Sequence, residues 1–142
     1  MFVDLVPVFI EQAKARFPDF PFRVSPVDAL DLPVGRAVGI LTWYSVIHLE
    51  PERVPVVLDE FARSLEPDGR LLLGFFEGAR LQPFSHAVTT AYFWPVDEMT
   101  RLVGDAGFLV EEVHTRADPN TRPHAAIVAR RVGADPASVP AY

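Results

Sequence analysis

The sequence contains no cysteine, a single lysine (Lys14) and no uninterrupted run of eighteen apolar residues. Without cysteine, disulfides and thiolate metal sites are excluded, and the cytoplasm is the expected location. Without a long apolar run, a transmembrane helix is excluded, and we predict no membrane partner. The segment Met1–Asp4 lacks a basic region followed by an apolar stretch, so we expect no secretory signal.

Several catalytic motifs are also missing. The four histidines, His48, His86, His114 and His124, do not form an H-E-x-x-H or a similar metal-binding spacing, and we predict no metal site. No serine lies in a G-x-S-x-G elbow, and there is no phosphate-binding P-loop. These absences argue against a metalloenzyme, an α/β hydrolase and a nucleoside triphosphatase.

The charge balance is acidic, with 13 basic and 19 acidic residues and a formal net charge of −6. A protein that binds duplex nucleic acid would present a basic face to the phosphates, and no basic cluster is present. Hydrophobic residues make up 49% and charged residues 23% of the 142 residues, a composition typical of one globular domain. Composition therefore favours a domain that acts on small molecules or on another protein.

Apolar patterning predicts alternating strands and helices. Strands are expected at Phe2–Leu5, Phe20–Val24, Ala37–Leu41, Arg70–Phe76, Phe108–His114 and Ala125–Arg130, and helices at Pro7–Phe17, Glu52–Leu65 and Pro95–Ala106. Residues after Phe76 are expected to form a loop of ten to fifteen residues rich in aromatics and histidine. This order predicts an α/β fold over residues 1–132, with a mainly parallel sheet and an antiparallel last strand, followed by a loose tail at 133–142.

Ligands of such sheets gather at the carboxyl ends of the parallel strands. The turn at Asp118-Pro119-Asn120 is short, so the strand that follows it must run antiparallel to the one before. His124, at the start of that last strand, is therefore expected on the same edge as the strand ends.

Four segments, in this order, resemble the class I, Rossmann-like S-adenosylmethionine-dependent methyltransferases. They are Val3–Pro7, with an acid that ends a strand just before a helix; Gly39–His48, a strand and its loop; Leu65–Leu73, a turn into a strand; and Ala106–Val110. The resemblance covers nearly the whole chain. It implies a Rossmann-like methyltransferase sheet, S-adenosylmethionine as the cofactor and methyl transfer as the reaction.

The resemblance also implies that a segment is missing. The family's first strand and the glycine-rich turn after it are absent, because the strand-ending acid is already Asp4. That first strand is central in the family, so the sheet is expected to have a gap and two unpaired edges. Ser25-Pro26 stands where the family often has Gly-Asp. The chain could be part of a longer protein, one half of a split protein, or a relative that no longer binds cofactor.

The resemblance assigns cofactor-binding roles at three strand ends. Asp4 is expected to accept hydrogen bonds from the ribose hydroxyls, although it could instead stabilise the amino end of the following helix. Trp43 could pack on the adenosine or plug the core. The cofactor-binding set is Asp4, Leu5, Val27, Asp28, Trp43, Tyr44, Ser45 and His48.

The aromatic segment after the strand at Arg70–Phe76 corresponds to the acceptor site of the family. An aromatic wall with titratable groups suits a small organic acceptor that must lose a proton. We therefore predict His86, His124 and Tyr92 as the residues that handle the acceptor, with either histidine as the base. The alternative is a hydrophobic lid with surface histidines.

The function predicted for the chain is S-adenosylmethionine-dependent methyl transfer to a small-molecule acceptor, impaired by the missing segment. The alternative is a non-catalytic methyltransferase-like module that associates with itself, as a homo-oligomer, or with a partner chain. A nicotinamide-dependent enzyme would share the ribose-binding acid, but no motif of that class follows the strand at Ala37–Leu41.

Overall fold

A computed structural model describes residues 1–87 and 89–133. Within these residues the chain alternates strands and helices, as expected. The strands are β1 (Phe2–Asp4), β2 (Phe22–Val24), β3 (Ala37–Trp43), β4 (Leu65–Glu77), β5 (Gln82–His86), β6 (Thr89–Trp94), β7 (Phe108–Arg116) and β8 (His124–Arg131); the helices are α1 (Pro7–Arg16), α2 (Val54–Ser64) and α3 (Val96–Asp105). Two 3-10 turns, Val46–His48 and Pro51–Arg53, precede α2.

The larger sheet is built around β4. On one edge of β4 lies β3, in parallel, and on the other lies β8, antiparallel. Beyond the end of β3, β6 continues that edge and pairs in parallel with Phe76 and Glu77. The strands that run in one direction are β3, β4, β6 and β7, because only β5 and β8 are antiparallel to their neighbours. The predicted α/β fold, mostly parallel with an antiparallel last strand, is confirmed.

A second sheet contains only β1 and β2, which pair in parallel from Phe2↔Phe22 to Asp4↔Val24. Within the described ranges β1 pairs only with β2 and β3 only with β4, so each has one edge without a strand partner. The loop after β2 is nevertheless tied to α2, because the Leu30 N–H donates to Glu60 Oε1 at 3.0 Å. Hence the backbone groups on these two strand edges have no partner in either sheet.

The core lies between α2, α3 and one face of the larger sheet. Alternation along β4 turns Leu71, Leu73 and Phe75 toward the helices, where all three are fully buried. The apolar stripe of α2, including Leu58 and Phe61, meets them from the other side. Burial of each such side chain contributes about 1.5–3 kcal/mol, so this face dominates the stability of the domain.

The opposite face of the larger sheet is partly bare. Leu41 and Trp43 of β3 are 67% and 48% exposed. Their register partners on β4, Leu72 and Gly74, alternate with the buried residues of that strand, so both side chains share the face away from α2 and α3.

Three predictions about individual elements need correction. An apolar helix at Pro7–Phe17 would be expected to bury its large side chains, but Phe9 and Phe17 are 56% and 50% exposed. The reason is that α1 packs on only two short strands, which are too narrow to cover its apolar face. In addition, β4 begins at Leu65 rather than Arg70, and the predicted turn at Pro67–Gly69 is a bulge inside it, with Asp68 at φ +64°.

The third correction concerns the predicted loop after Phe76. Most of this segment forms a hairpin, in which β5 pairs antiparallel with β6 from Gln82↔Phe93 to His86↔Thr89. Its Phe, Tyr, Thr and Trp content favours strands, and β4 supplies a free edge. Of the predicted tail at 133–142, only Gly133 lies within the described residues.

The described residues include no helix that is both long enough and apolar enough to cross a membrane.

Candidate functional site

The carboxyl ends of β3, β4 and β6 and the amino end of β8 meet on one edge of the larger sheet. Phe76, near the end of β4, pairs with Phe93 of β6 on one side and with His124 of β8 on the other. Register partners point to the same face, so these three side chains are neighbours. The prediction that His124 lies on the edge of the strand ends is confirmed.

An aromatic cluster surrounds Phe76. Its ring stacks on Tyr44 at a centroid distance of 4.8 Å and meets Phe84 edge-on at 5.6 Å. Phe84 in turn stacks on Phe93 at 4.1 Å. We call these four rings, Tyr44, Phe76, Phe84 and Phe93, the aromatic wall. They are only half-buried, so the wall offers ring surface to a ligand.

Three histidines border this wall. His86 lies 5.4 Å from Phe76, and His124 meets Tyr44 edge-on at 6.4 Å. His48 stacks on His86 at 5.7 Å, and its Nδ1 lies 3.0 Å from the carbonyl oxygen of Thr90. Because a carbonyl only accepts, Nδ1 must carry a proton, which in neutral His48 leaves Nε2 as an acceptor.

Trp43 and Tyr44 owe their positions to the end of β3. Tyr44 leaves the strand with a left-handed φ of +52°, while its N–H donates to Gly74 O at 3.0 Å. Trp43 pairs with Gly74, and a Cβ on that glycine would lie 2.5 Å from the indole Cε3. The indole therefore lies directly over the glycine. Within the described residues, the Ser45 hydroxyl makes one long hydrogen bond, to Trp43 O at 3.5 Å.

Asp4 ends β1 on the smaller sheet. Its Oδ1 accepts the Val6 N–H at 2.8 Å, at the start of α1. The predicted alternative role at the amino end of the helix is thus present. The side chain is exposed, and Oδ2 makes no hydrogen bond within the part of the chain that the structure describes. One carboxylate oxygen therefore remains available to a ligand.

The predicted adenine-side residues follow β2. Val27 is half-buried against the core, and Asp28 is ion-paired with Arg53 from the 3-10 turn before α2. The loop is fixed by Ser25, whose hydroxyl donates to Ala29 O at 2.6 Å. The Asp28 carboxylate is thus already ion-paired within the chain. Leu5, which follows β1, is 66% exposed.

Tyr92 lies on the other face of the β5–β6 hairpin from the aromatic wall. Its neighbour in β6, Phe93, belongs to the wall, and side chains alternate along a strand. The Tyr92 hydroxyl donates to Glu50 Oε2 at 2.8 Å. This hydrogen bond raises the pKa of Tyr92 above its ordinary value, and partial desolvation acts in the same direction.

The structure brings Tyr44, His48, His86 and His124 together around the wall. No hydrogen bond, ion pair or ring contact within the described ranges links Asp4 or Asp28 to this cluster. One neighbour was missed by sequence reasoning: Arg122, whose guanidinium carbon lies 4.8 Å from the Phe84 ring centre. The turn at Asp118–Asn120 was the only signal that could have placed it there.

No group of histidines and carboxylates within residues 1–87 and 89–133 is arranged to hold a metal ion. The strand ends present imidazoles, the guanidinium of Arg122, the accepting Oδ2 of Asp4 and aromatic faces. Such a set suits a polar organic ligand with a planar part rather than a cation.

Several known proteins share this fold. Residues 1–73 match the family model of a methyltransferase domain. An S-adenosylmethionine-dependent methyltransferase from Methanosarcina mazei has the same fold at 14% identity, with a TM-score of 0.80 over 92% of this chain and 80% of the other. No protein of curated function matches the sequence.

Two further solved structures are similar. The 1,6-didemethyltoxoflavin-N1-methyltransferase of Burkholderia thailandensis, with bound 1,6-didemethyltoxoflavin and S-adenosylhomocysteine, is 24% identical, with a TM-score of 0.76 over 92% of this chain and 60% of the other. A complex of the Haloferax volcanii Trm112 methyltransferase activator with its methyltransferase partner is 16% identical, with a TM-score of 0.76 over 94% of this chain and 71% of the other. The family match spans half of the sequence and the fold is shared, and so the chain belongs to the class I S-adenosylmethionine-dependent methyltransferases.

Proposed function

We propose that this domain transfers the methyl group of S-adenosylmethionine to a small-molecule acceptor bound beside the aromatic wall. The observation that carries the proposal is the position of the wall and its histidines at the carboxyl ends of β3, β4 and β6, in a chain of this family. The Burkholderia relative holds a small heterocyclic molecule together with S-adenosylhomocysteine, which favours an acceptor of similar size.

The residues present fit S-adenosylmethionine. Asp4 Oδ2 is free to accept a ribose hydroxyl, and the Val6 N–H holds the other oxygen in place. Trp43 presents a half-exposed indole and Tyr44 a half-buried ring to the same edge. Asp4, Leu5, Val27 and Asp28 would bind the adenosine, whereas Trp43, Tyr44, Ser45 and His48 would line the path toward the acceptor.

The cofactor supplies a methyl group on a sulfonium, which is already a good leaving group. The protein therefore needs chiefly to align the acceptor and exclude water, and proximity accounts for much of the rate. His86 or His124 would accept the proton that the acceptor loses, because both imidazoles are half-buried beside the wall. Tyr92, hydrogen-bonded to Glu50, would position the β5–β6 hairpin from its other face.

Isothermal titration of S-adenosylhomocysteine tests the cofactor site. We expect saturable one-to-one binding, weakened about tenfold by Asp4→Asn, because a charged hydrogen bond to the ribose is lost while the amide oxygen can still accept the Val6 N–H. Asp19→Asn removes the same charge from the turn after α1 and should leave the affinity unchanged. Equal affinity in the wild type and Asp4→Asn, or no binding at all, would contradict the proposed site.

The unpaired edges of β1 and β3 favour a second candidate, namely a module that associates with itself or with a partner chain. Leu41 beside the β3 edge is 67% exposed, and the Haloferax relative is itself in complex with an activator. An edge of this kind readily pairs with another strand. Asp4 lies on the smaller sheet and Trp43 on the larger one, with no strand pairing between them among the described residues, so we expect methyl transfer by this domain in the cytoplasm to be slow.

Sedimentation velocity distinguishes the two functions. If the β3 edge mediates association, the wild type sediments as a dimer on dilution, and Leu41→Lys converts it to a monomer. Val34→Lys is a matched control, because Val34 is also 67% exposed but precedes β3. A wild type that is monomeric at all concentrations would exclude self-association as the function.

A further inference from the structure

Arg122 stands out because it holds a positive charge against the aromatic wall. Its guanidinium carbon lies 4.8 Å from the ring centre of Phe84 and 6.0 Å from that of Phe76. Contacts of this kind fix the plane of the guanidinium by cation–π attraction. Arg122 itself lines a shallow depression together with Phe76, Pro123 and His124.

The charge of Arg122 is not neutralised within the described residues. Other arginines, such as Arg63 and Arg130, pair with carboxylates of the chain. The closest acid in sequence, Asp118, is ion-paired with Arg116 instead. In an acidic chain of net charge −6, an exposed guanidinium without a carboxylate partner, beside the candidate acceptor site, is an unused anion-binding group.

The turn that carries Arg122 is well defined. Asn120 adopts a left-handed φ of +64°, and Thr121 donates to Asp118 O from its backbone N–H at 3.2 Å and from its hydroxyl at 3.0 Å. On the other side, the Glu77 N–H donates to Pro123 O at 2.9 Å. Arg122 is thus held between two fixed points rather than on a free loop, as a binding residue requires.

We propose that the acceptor is a planar aromatic acid whose carboxylate binds the Arg122 guanidinium and whose ring packs against the aromatic wall. The proposal rests on the proposed function, because it identifies the acceptor of that methyl transfer. A single guanidinium matches a carboxylate in charge and in its two-pronged geometry. His124 and Tyr44 border the space left for the ring.

Titration with a matched pair of probes tests this proposal without cofactor. We would add 2-hydroxybenzoate or its neutral analogue 2-hydroxybenzamide to the chain and follow amide and arginine Nε–H resonances by NMR. The acid should shift the Arg122 side chain and the backbone of His124, and the amide should bind about tenfold more weakly or not at all, because the charged two-pronged contact is lost.

Two variants complete the test. Arg122→Gln should weaken binding of 2-hydroxybenzoate about tenfold, whereas Arg36→Gln, which removes an exposed charge before β3, should not. S-adenosylhomocysteine affinity should be the same in Arg122→Gln as in the wild type, so that failure of the cofactor site and failure of the acid site are separate results. Equal affinity for acid and amide, unchanged acid binding in Arg122→Gln, or no binding of the acid to the wild type would each overturn the proposal.

Discussion

Gly74 is the position at which the structure makes its sharpest prediction. It lies in β4 beneath the indole of Trp43, and an added Cβ would lie 2.5 Å from Cε3, with two further ring carbons at 2.8 Å. Real carbon contacts do not come this close, so Gly74→Ala must displace either the strand or the ring. Trp43 is 48% exposed, so we expect the ring to swing outward rather than β4 to move.

The loss of stability expected for Gly74→Ala follows from the exposure of the Trp43 ring. Overpacking in a closed core costs about 1–3 kcal/mol, and a ring with solvent on one side should lie at the low end, at about 1 kcal/mol. In a Trp43→Ala background the obstruction is gone, and the same Gly74→Ala change should cost almost nothing. The two substitutions should therefore be coupled by about 1 kcal/mol, within the range observed for residues in contact.

Urea unfolding of the wild type, Gly74→Ala, Trp43→Ala and the double variant, followed by circular dichroism, gives this coupling energy directly. Trp fluorescence should also shift in Gly74→Ala, because Trp43 gains solvent while Trp94 stays buried. If Trp43 lines the cofactor site, Gly74→Ala should also weaken S-adenosylhomocysteine binding. Equal losses of stability from Gly74→Ala in both backgrounds would refute the placement of the indole over Gly74.

Three further outcomes are expected. The pKa of Glu60 is lowered chiefly by the hydrogen bonds from Arg63 and also by the Leu30 N–H, so the ionised side chain stabilises the fold above its ordinary pKa. Glu60→Gln should therefore reduce the free energy of unfolding by about 1–2 kcal/mol at pH 7. Chemical denaturation should show that this difference vanishes as the pH falls through the lowered pKa. The pKa of Tyr92 is raised, chiefly by the hydrogen bond to Glu50, so this contact stabilises the fold below the ordinary pKa of tyrosine, and the stability is lost as the pH rises through the raised pKa. Glu50→Gln should therefore move the ultraviolet titration of Tyr92 to lower pH, and an unchanged titration would refute the contact. Phe76→Ala should release the guanidinium of Arg122 and the ring of Tyr44 together, observed as simultaneous changes in their NMR resonances, and a change in only one would contradict a single cluster.

The order of strands and helices was predictable because each element carries its own apolar period. The stripe of α2 and the alternation in β4 report burial on one face directly, and Gly107, at φ +93°, ends α3 as its position in the sequence indicates. The exposed face of α1 was not predictable in the same way. An apolar stripe shows which face a helix would bury, but not whether enough sheet is present to cover it.

The candidate site was only partly predictable from the sequence. Strand ends located Trp43 and Tyr44, and the antiparallel return located His124. The hairpin of β5 and β6 was missed because its pairing partner is the far end of β4, which a local pattern does not reveal. That hairpin brings Phe84 onto the wall and turns Tyr92 away from it. Arg122 was missed because its ring contacts come from residues distant in sequence.

Mapping S-adenosylhomocysteine onto the chain by NMR shows whether the cofactor binds at the carboxyl ends of the strands. We expect saturable shifts at three strand ends: Asp4 and Leu5 at the end of β1, Val27 and Asp28 after β2, and Trp43 to Ser45 at the end of β3. Residues at the opposite edge, such as Arg36 and Asp68, should not respond. Shifts at only one of the three strand ends, or shifts concentrated at the opposite edge, would contradict a cofactor site at the carboxyl ends of these strands.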